Sequence, residues 1–212
     1  TGWRSSGARL ATGSMAARED TVAKVVLSMF MTLDGYFAGL GGEFMPPAWS
    51  DGMEAWALEA MRQSGHFLYG RVNFQFNKGF WEAAKTDPDS PAAGIAYAGE
   101  MNAKPKTVFS RTLKGDPGWN ATLVSDDIPA RIAELKATNE KDLFLFGGAR
   151  LARSFIDLDL VDEYRLLVTP TIQGSGERLF GTGTRPIDLA FVESRPIDTG
   201  AVLLRYRRSR ET

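Results

Sequence analysis

The sequence predicts one α/β domain built on a mixed, mostly parallel β-sheet with helices on both faces. Three observations support this fold class. A length of 212 residues suits a single domain of ordinary size. Short apolar runs alternate along the chain with amphipathic segments, the pattern of buried parallel strands covered by helices. The chain then closes with two alternating segments around a Pro/Gly turn, which indicates an antiparallel hairpin at the sheet edge.

In the first half of the chain, each predicted strand is short and apolar, and each predicted helix carries an apolar stripe. The run VAKVVLSMFM is apolar enough to be buried on both faces, and Asp34-Gly35 ends it as a turn. A loop rich in Gly and Pro follows. In order, we expect a strand at 22–31, the loop at 38–50, a helix at 51–65, a strand at 66–69, and a short helix at 70–78.

The second half repeats this alternation. Asp126 and Asp127 are suitable N-caps, and the Gly147-Gly148 pair marks an abrupt change from strand to helix. Pro170 ends a strand, because proline cannot continue a sheet ladder. In order, we expect a strand at 107–110, a helix at 127–137, a strand at 142–146, a helix from the glycine pair to 156, a strand at 164–169, and hairpin strands at 189–193 and 201–207.

Composition excludes several kinds of chemistry. The 25 basic and 26 acidic residues nearly cancel, so no general attraction to nucleic acid or to a membrane surface is expected. Without cysteine, thiolate metal sites and a cysteine nucleophile are excluded, and His66 alone cannot form a multi-histidine metal site. No apolar run is long enough to span a membrane. We therefore expect no bound metal, a cytoplasmic location, and either organic-cofactor chemistry or binding alone.

The first 20 residues are rich in Gly, Ser, Ala and Arg and lack the apolar core of a secretory signal. We expect a flexible leader over 1–20, partly derived from cloning, and one folded domain over 21–212. The alternative is a short helix that docks on the domain.

Two glycine-containing strand ends are suited to phosphate groups. Peptide N–H groups at a helix start stabilise phosphate, and arginine binds it with two hydrogen bonds. The segment LFGGARL places two glycines and Arg150 after a strand, and YGRVN places Gly70 and Arg71 in the same relation. In the alternative interpretation the glycines only permit close packing and the arginines are solvated.

A third strand end, VFSRT, is also interpreted as leading into a helix start. It brings Ser110 and Arg111 out of a strand together, a pair suited to the 2′-phosphate of adenosine, so NADP would be preferred over NAD. The fingerprints G-x-G-x-x-G and G-x-x-x-x-G-K-[ST] are absent. An ordinary Rossmann dehydrogenase or P-loop NTPase is therefore not expected.

Together these segments resemble the dihydrofolate reductase-like superfamily, and within it stand-alone relatives of the reductase domain of riboflavin biosynthesis. The resemblance extends over 22–207 and is carried by SMFMTLDGYFAG, LYGRVNFQ, KTVFSRTL, DLFLFGGARLARSFI and VDEYRLLVTPTIQGSGERLF. It implies a three-layer dihydrofolate reductase-like fold and an NADPH-dependent oxidoreductase. The hydride acceptor would be a small planar heterocycle or a conjugated C=N or C=C group. It also implies a homodimer, for which the apolar C-terminal strands could supply the interface.

The resemblance implies a cofactor site built from four segments. Leu33, Gly35 and Tyr36 would line the nicotinamide, and Ser110 and Arg111 would lie near the 2′-phosphate. The remaining implied residues surround the linking phosphates: Gly70, Arg71, Val72 and Asn73 on one side, and Phe146, Gly147, Gly148, Ala149, Arg150 and Leu151 on the other.

Three departures from the family pattern are visible. Asn73 stands where relatives often have Thr, and Ala149 replaces a third glycine. The acidic Asp-Pro segment of the riboflavin-pathway enzymes is missing, which argues against pyrimidine reductase activity itself. Two alternatives to the reductase remain: a non-catalytic or regulatory nucleotide-binding protein, and a flavin-nucleotide binder that uses the same anion sites.

Hydride transfer also needs a proton, and with one histidine and no cysteine the donor is expected to be a carboxylic acid, a tyrosine or water. Glu54 has the spacing of the substrate carboxylate of dihydrofolate reductases and lies at the border of an apolar helix face, where it could face a substrate cleft. The alternative is a surface glutamate in a first helical turn. Asp34 is the second candidate, with a turn-forming role as its alternative, and Tyr36 is the third.

Aromatic residues suggest the walls of a substrate pocket. Trp49 and Trp81, together with Trp56, could enclose a planar substrate, and the alternative for each is core packing. His66 lies among apolar residues and is interpreted as structural.

Overall fold

The computed structural model describes residues 22–45, 47–181 and 183–210. Within these ranges the chain forms five helices and ten strands. The helices are α1 Asp51–Gln63, α2 Arg71–Thr86, α3 Ala98–Ala103, α4 Ile128–Thr138 and α5 Ala149–Asp157. The strands are β1 Val25–Thr32, β2 Tyr36–Ala38, β3 Ser64–Gly70, β4 Lys106–Phe109, β5 Ala121–Val124, β6 Asp142–Gly147, β7 Glu163–Thr169, β8 Glu177–Arg178, β9 Leu189–Pro196 and β10 Val202–Arg208.

Eight strands form one sheet in the order β5-β4-β3-β6-β1-β7-β10-β9. The six strands from β5 to β7 are parallel, whereas β10 runs antiparallel to both β7 and β9. A separate two-stranded sheet pairs β2 with β8. The predicted mixed, mostly parallel sheet with an antiparallel C-terminal hairpin is confirmed.

Helices cover both faces of the large sheet, and the side chains of β3 alternate between the two resulting cores. Phe67 and Tyr69 pack on the side of α1, α2 and α3. Leu68 points to the other side, against α4 and α5. Because both faces are buried, the central strands read as continuous apolar runs. The three-layer arrangement expected from the sequence is therefore confirmed.

Several local expectations need correction. The helix that begins at Arg71 has 16 residues instead of ending at Lys78, and Gly79 lies in its interior. The segment after β4 does not begin a helix: it turns and leads into β5. The sequence did not predict β2, β5, β8 or α3. No helix in the described ranges is long and apolar enough to cross a membrane. The expected leader at 1–20 lies outside the described residues.

Candidate active site

The predicted site segments meet at one edge of the sheet. Because β1, β3, β4 and β6 are parallel, their C-terminal ends lie at the same edge. β3 and β6 are neighbours, and Tyr69 is paired with Gly147. A Cβ atom at Gly148 would lie 3.7 Å from the Cβ of Asn73, so the glycine turn after β6 contacts the first turn of α2. The structure thus brings the two glycine-containing strand ends together.

The helices that start at these two strand ends have no side-chain cap. α2 has Gly70 as its N-cap and α5 has Gly148, whereas α1 and α4 are capped by Ser50 and Asp127. The first N–H groups of α2 and α5 are therefore free of competition from a capping side chain. Gly148 has φ +95°, a conformation that L side chains rarely adopt, so glycine is required there by the turn itself.

Positive charge lies beside both helix starts. Arg71 and Arg150 are exposed. Arg71 donates a hydrogen bond to the Gln75 side chain at 3.3 Å, and neither arginine forms an ion pair with a carboxylate among the described residues. Two unneutralised guanidinium groups and two uncapped helix starts make this edge suitable for a phosphorylated ligand.

The Asn73 side chain forms a hydrogen bond to the protein backbone. Its Nδ2 donates to the carbonyl of Phe146 at 2.5 Å, which joins the start of α2 to the end of β6. One N–H of the amide remains for another acceptor. A direct contact between Asn73 and phosphate stays a prediction.

Ser110 organises the turn that replaces the expected helix start. Its hydroxyl oxygen accepts hydrogen bonds from the N–H groups of Thr112 and Leu113 at 3.2 and 3.0 Å. Arg111 is exposed and has no ion pair among the described residues. The strand end still presents a hydroxyl and a guanidinium at the site edge, so their assignment to a 2′-phosphate stays a prediction.

Asp34 acts as a clamp between two loops. Its carboxylate accepts hydrogen bonds from the Thr32 hydroxyl at 2.6 Å, from Gln173 N at 3.1 Å and from Gly174 N at 2.7 Å. These donors, the Thr32 hydroxyl above all, lower the pKa of Asp34 to about 2. A carboxylate held ionised in this way does not suit a proton donor at neutral pH. The geometry favours the turn-forming alternative for Asp34.

Arg178 lies against the stretch that was assigned to the nicotinamide. Its guanidinium carbon is 4.6 Å from the ring centroid of Tyr36, and its Nη2 donates to the Tyr36 hydroxyl at 3.3 Å. Leu33 is exposed beside this pair, and Gly35 has φ +87°. No local pattern in the sequence indicates Arg178, because its position depends on the pairing of β2 with β8.

Glu54 lies in a cluster with three aromatic residues, Trp49, Trp81 and Tyr97, which we call the Tyr97 cluster. The Tyr97 ring centroid is 6.2 Å from that of Trp49 and 5.4 Å from that of Trp81. Glu54 is half-buried and its Oε1 accepts a hydrogen bond from Ala96 N at 3.3 Å. Burial, followed by the nearby charge of Glu54, raises the pKa of Tyr97 to about 12.

The Tyr97 cluster lies near the same sheet edge, because α1 runs back from that edge and leads directly into β3. Trp49 is 47% exposed and therefore available to a ligand, whereas Trp56 and Trp81 are buried, as core packing requires. Tyr97 was missed in the sequence because nothing local distinguishes it from a core tyrosine. Tyr97 lies near Glu54 because of the path that the chain takes between α2 and α3.

The chain also matches a known protein family over most of its length. The family model for the RibD C-terminal domain matches residues 23–203. YyaP of Bacillus subtilis (strain 168), an uncharacterized protein, is 32% identical over 187 residues, which are 86% of this chain and 94% of YyaP. The resemblance found in the sequence is thereby confirmed at the level of the family.

Solved structures share the fold. A protein assigned to riboflavin biosynthesis in Shewanella sp. PV-4 gives a TM-score of 0.67 at 23% identity, covering 88% of this chain and 99% of that one. The Thermotoga maritima diaminohydroxyphosphoribosylaminopyrimidine deaminase/5-amino-6-(5-phosphoribosylamino)uracil reductase gives 0.62 at 17% identity. That comparison covers 90% of this chain and 58% of the other. At such identities the likeness concerns the fold alone.

Proposed function

Because the chain belongs to the RibD C-terminal domain family, we propose that it is an NADPH-dependent oxidoreductase. Hydride would pass to a small planar heterocycle or to a conjugated C=N or C=C acceptor. One observation carries the proposal: two uncapped helix starts, α2 and α5, lie side by side at the ends of adjacent parallel strands. Such a pair suits the linked phosphates of a dinucleotide.

The charge and the hydrogen-bond donors at this edge support NADPH as the cofactor. Backbone N–H groups at 71–73 and 148–151 would bind the linking phosphates, with Arg71 and Arg150 supplying positive charge. Ser110 and Arg111 would bind the 2′-phosphate that distinguishes NADPH from NADH. Leu33, Gly35 and Tyr36 would contact the nicotinamide, and the bound cofactor would supply the hydride.

The substrate would bind on the side of the Tyr97 cluster. The exposed Trp49 provides an apolar surface for a planar ring, with Trp81 and Tyr97 behind it. The Glu54 carboxylate has one oxygen held by Ala96 N, which leaves the other to accept a hydrogen bond from the substrate. In this proposal Glu54 orients the acceptor and relays the proton, while Asp34 only holds the loop.

The proposal extends to assembly and location. We propose a homodimer formed through the exposed apolar part of the C-terminal hairpin, where Phe191 is 64% exposed and packs on Tyr206 with ring centroids 5.9 Å apart. We also propose that the protein works in the cytoplasm, a reducing compartment with which a chain that has no cysteine is compatible.

The test is a screen of planar heterocycles and conjugated imines, following the oxidation of NADPH. With an active acceptor, Glu54→Gln should keep NADPH affinity and lower kcat at least about tenfold, because a positioned acid–base group contributes at least that much. Glu59→Gln is the matched control on the same helix and should change kcat little. Normal turnover in Glu54→Gln would overturn the role of Glu54.

A further inference from the structure

The end of β6 contains an irregularity at Phe146. The register between β3 and β6 passes from Leu68 with Leu145 to Tyr69 with Gly147, so Phe146 has no partner on β3. On the other side, the pairing of β6 with β1 ends at Leu145. At this irregularity the half-buried Phe146 carbonyl accepts a hydrogen bond from a donor outside the sheet.

Asn73 supplies that donor, and two further residues of α2 extend the chain of hydrogen bonds. Asn77 Nδ2 donates to Asn73 Oδ1 at 3.0 Å and to the Asn73 carbonyl at 2.9 Å. Trp81 Nε1 donates to Asn77 Oδ1 at 3.0 Å. The three residues are spaced four apart and share one face of the helix. They form a chain of hydrogen bonds from Trp81 to Phe146, which we call the Asn73 ladder.

The direction of the hydrogen bonds in the Asn73 ladder is set at both ends, by the Trp81 N–H, which only donates, and by the Phe146 carbonyl, which only accepts. An indole N–H can only donate, so the Asn77 amide must present its oxygen to Trp81 and its nitrogen to Asn73. The Asn73 amide must then present its oxygen to Asn77 and its nitrogen to Phe146. Each amide is thus fixed in one of its two orientations.

Holding the Phe146 carbonyl also fixes the neighbouring N–H. The peptide that joins Phe146 to Gly147 is planar, with its C=O and N–H groups pointing in opposite directions. The bond from Asn73 therefore turns the Gly147 N–H away from α2. Gly147 and Gly148 have wide conformational freedom, and without this restraint their peptides would sample several orientations.

We propose that Asn73 is a positioning residue that acts through the Phe146 carbonyl to hold the Gly147–Gly148 turn ready for the cofactor phosphates. This role rests on the proposed function. It differs from direct binding of phosphate, because the effect of Asn73 passes through another residue and depends on Asn77 and Trp81. It also gives the buried indole of Trp81 a function beyond core packing.

The test compares variants that break the Asn73 ladder with matched variants elsewhere. Asn73→Leu keeps the approximate shape of the side chain and removes the donor. Trp81→Phe keeps an aromatic ring and removes only the N–H at the far end of the ladder. Asn139→Leu and Trp119→Phe are the controls, since each loses a side-chain hydrogen bond, to Leu135 O and to Asn102 Oδ1 respectively, outside the ladder.

Binding of NADPH and of 2′-AMP is measured for each variant, together with thermal stability. Asn73→Leu should weaken NADPH binding about tenfold and Trp81→Phe about threefold, the range expected for losing one hydrogen bond. Binding of 2′-AMP, which lacks the linking phosphates, should change less than about twofold. The controls should lower stability without changing NADPH affinity. Unchanged NADPH binding in Asn73→Leu, or an equal loss for both ligands, would overturn the proposal.

A second readout does not need the cofactor. In the ligand-free protein, Asn73→Leu and Trp81→Phe should broaden or shift the backbone amide resonances of Gly147 and Gly148, and the controls should leave them in place. If wild-type protein does not bind NADPH but these resonances respond, the proposed function fails while the positioning of the turn stands. Resonances that are unchanged in both ladder variants would refute the positioning role directly.

Discussion

Asp198 accepts a hydrogen bond from the Ser50 hydroxyl at 2.5 Å, and this contact ties the turn of the C-terminal hairpin to the start of α1. The same carboxylate accepts from Gly52 N at 3.2 Å, and a Cβ at Gly52 would lie 2.5 Å from its Oδ1, so glycine permits the approach. Ser50 in turn caps α1 by accepting from Met53 N. The hairpin therefore helps to place the helix that carries Glu54.

The cap at Ser50 should be measurable as stability. Ser50→Ala removes both the cap and the bond to Asp198, so the free energy of unfolding should fall by about 1 to 2 kcal/mol. Asp198→Ala should cost less, because Ser50 still caps Met53 N. Chemical denaturation checks both variants, with the exposed Ser125→Ala as a control that should stay close to wild type. A larger loss of unfolding free energy in Asp198→Ala than in Ser50→Ala would contradict the role of Ser50 as the cap of α1.

Asp34 should titrate far below neutral pH. Its folded-state pKa of about 2 lies below the ordinary value of 3.8, so the stability it contributes is present above about pH 4 and is lost as the pH falls toward 2. The carboxyl resonance of Asp34, followed by NMR, should show this low midpoint. No step in the activity profile above pH 5 should belong to Asp34. A midpoint above 4 would remove the argument against Asp34 as a proton donor.

His66 should contribute to acid instability. Burial, with smaller effects from Arg131 and Lys106, lowers the pKa of His66 to about 4. Its Nε2 is 2.9 Å from the Thr107 hydroxyl. Between pH 6.5 and 4 the unfolded chain binds a proton that the folded protein does not, so stability falls as the pH falls through this window. Through this one group the free energy of unfolding changes by at most about 1.4 kcal/mol per pH unit.

His66→Gln isolates that contribution. Glutamine can still form a hydrogen bond with Thr107 but does not titrate, so the variant should lose less stability than wild type between pH 7 and pH 5. Denaturation curves at several pH values give the comparison. Equal losses in the two proteins would mean that His66 is protonated in the folded state as readily as in the unfolded chain.

The proposed dimer depends on Phe191. β9 is the edge strand of the sheet. The exposed Phe191 lies on β9 and packs on Tyr206 of the neighbouring strand β10. Light scattering should give the mass of a dimer for wild type and of a monomer for Phe191→Arg, with thermal stability nearly unchanged. Phe76→Arg is the control, because Phe76 is similarly exposed on α2. A monomeric wild type, or dissociation by Phe76→Arg instead, would contradict this interface.

The sequence predicts the large sheet well because its central strands are buried on both faces and read as apolar runs. It misses β2 and β8, which have three and two residues and depend on loops that Asp34 holds together. It also ends α2 too early. Gly79 is an unfavourable helix residue, but burial of Trp81 in the core carries the helix past it.

The candidate site also has parts that the sequence predicts and parts that it misses. The glycine-containing strand ends are visible as local patterns, and the structure brings them together on adjacent strands. Tyr97 and Arg178 could not be found, since Tyr97 meets Glu54 across 42 intervening residues and Arg178 meets Tyr36 across the pairing of β2 with β8. The bond from Asn73 to Phe146 depends on a register shift, which no sequence pattern reveals.

The edge formed by α2 and α5 should bind NADPH, and a titration of the purified protein with NADPH and with NADH measures this binding. The chain has five tryptophans, so binding should be visible as quenching and energy transfer. We expect micromolar binding of NADPH and much weaker binding of NADH, because only NADPH offers a 2′-phosphate to Ser110 and Arg111. Absence of binding by either dinucleotide would contradict the reductase proposal and leave a family member that has kept the fold without its cofactor.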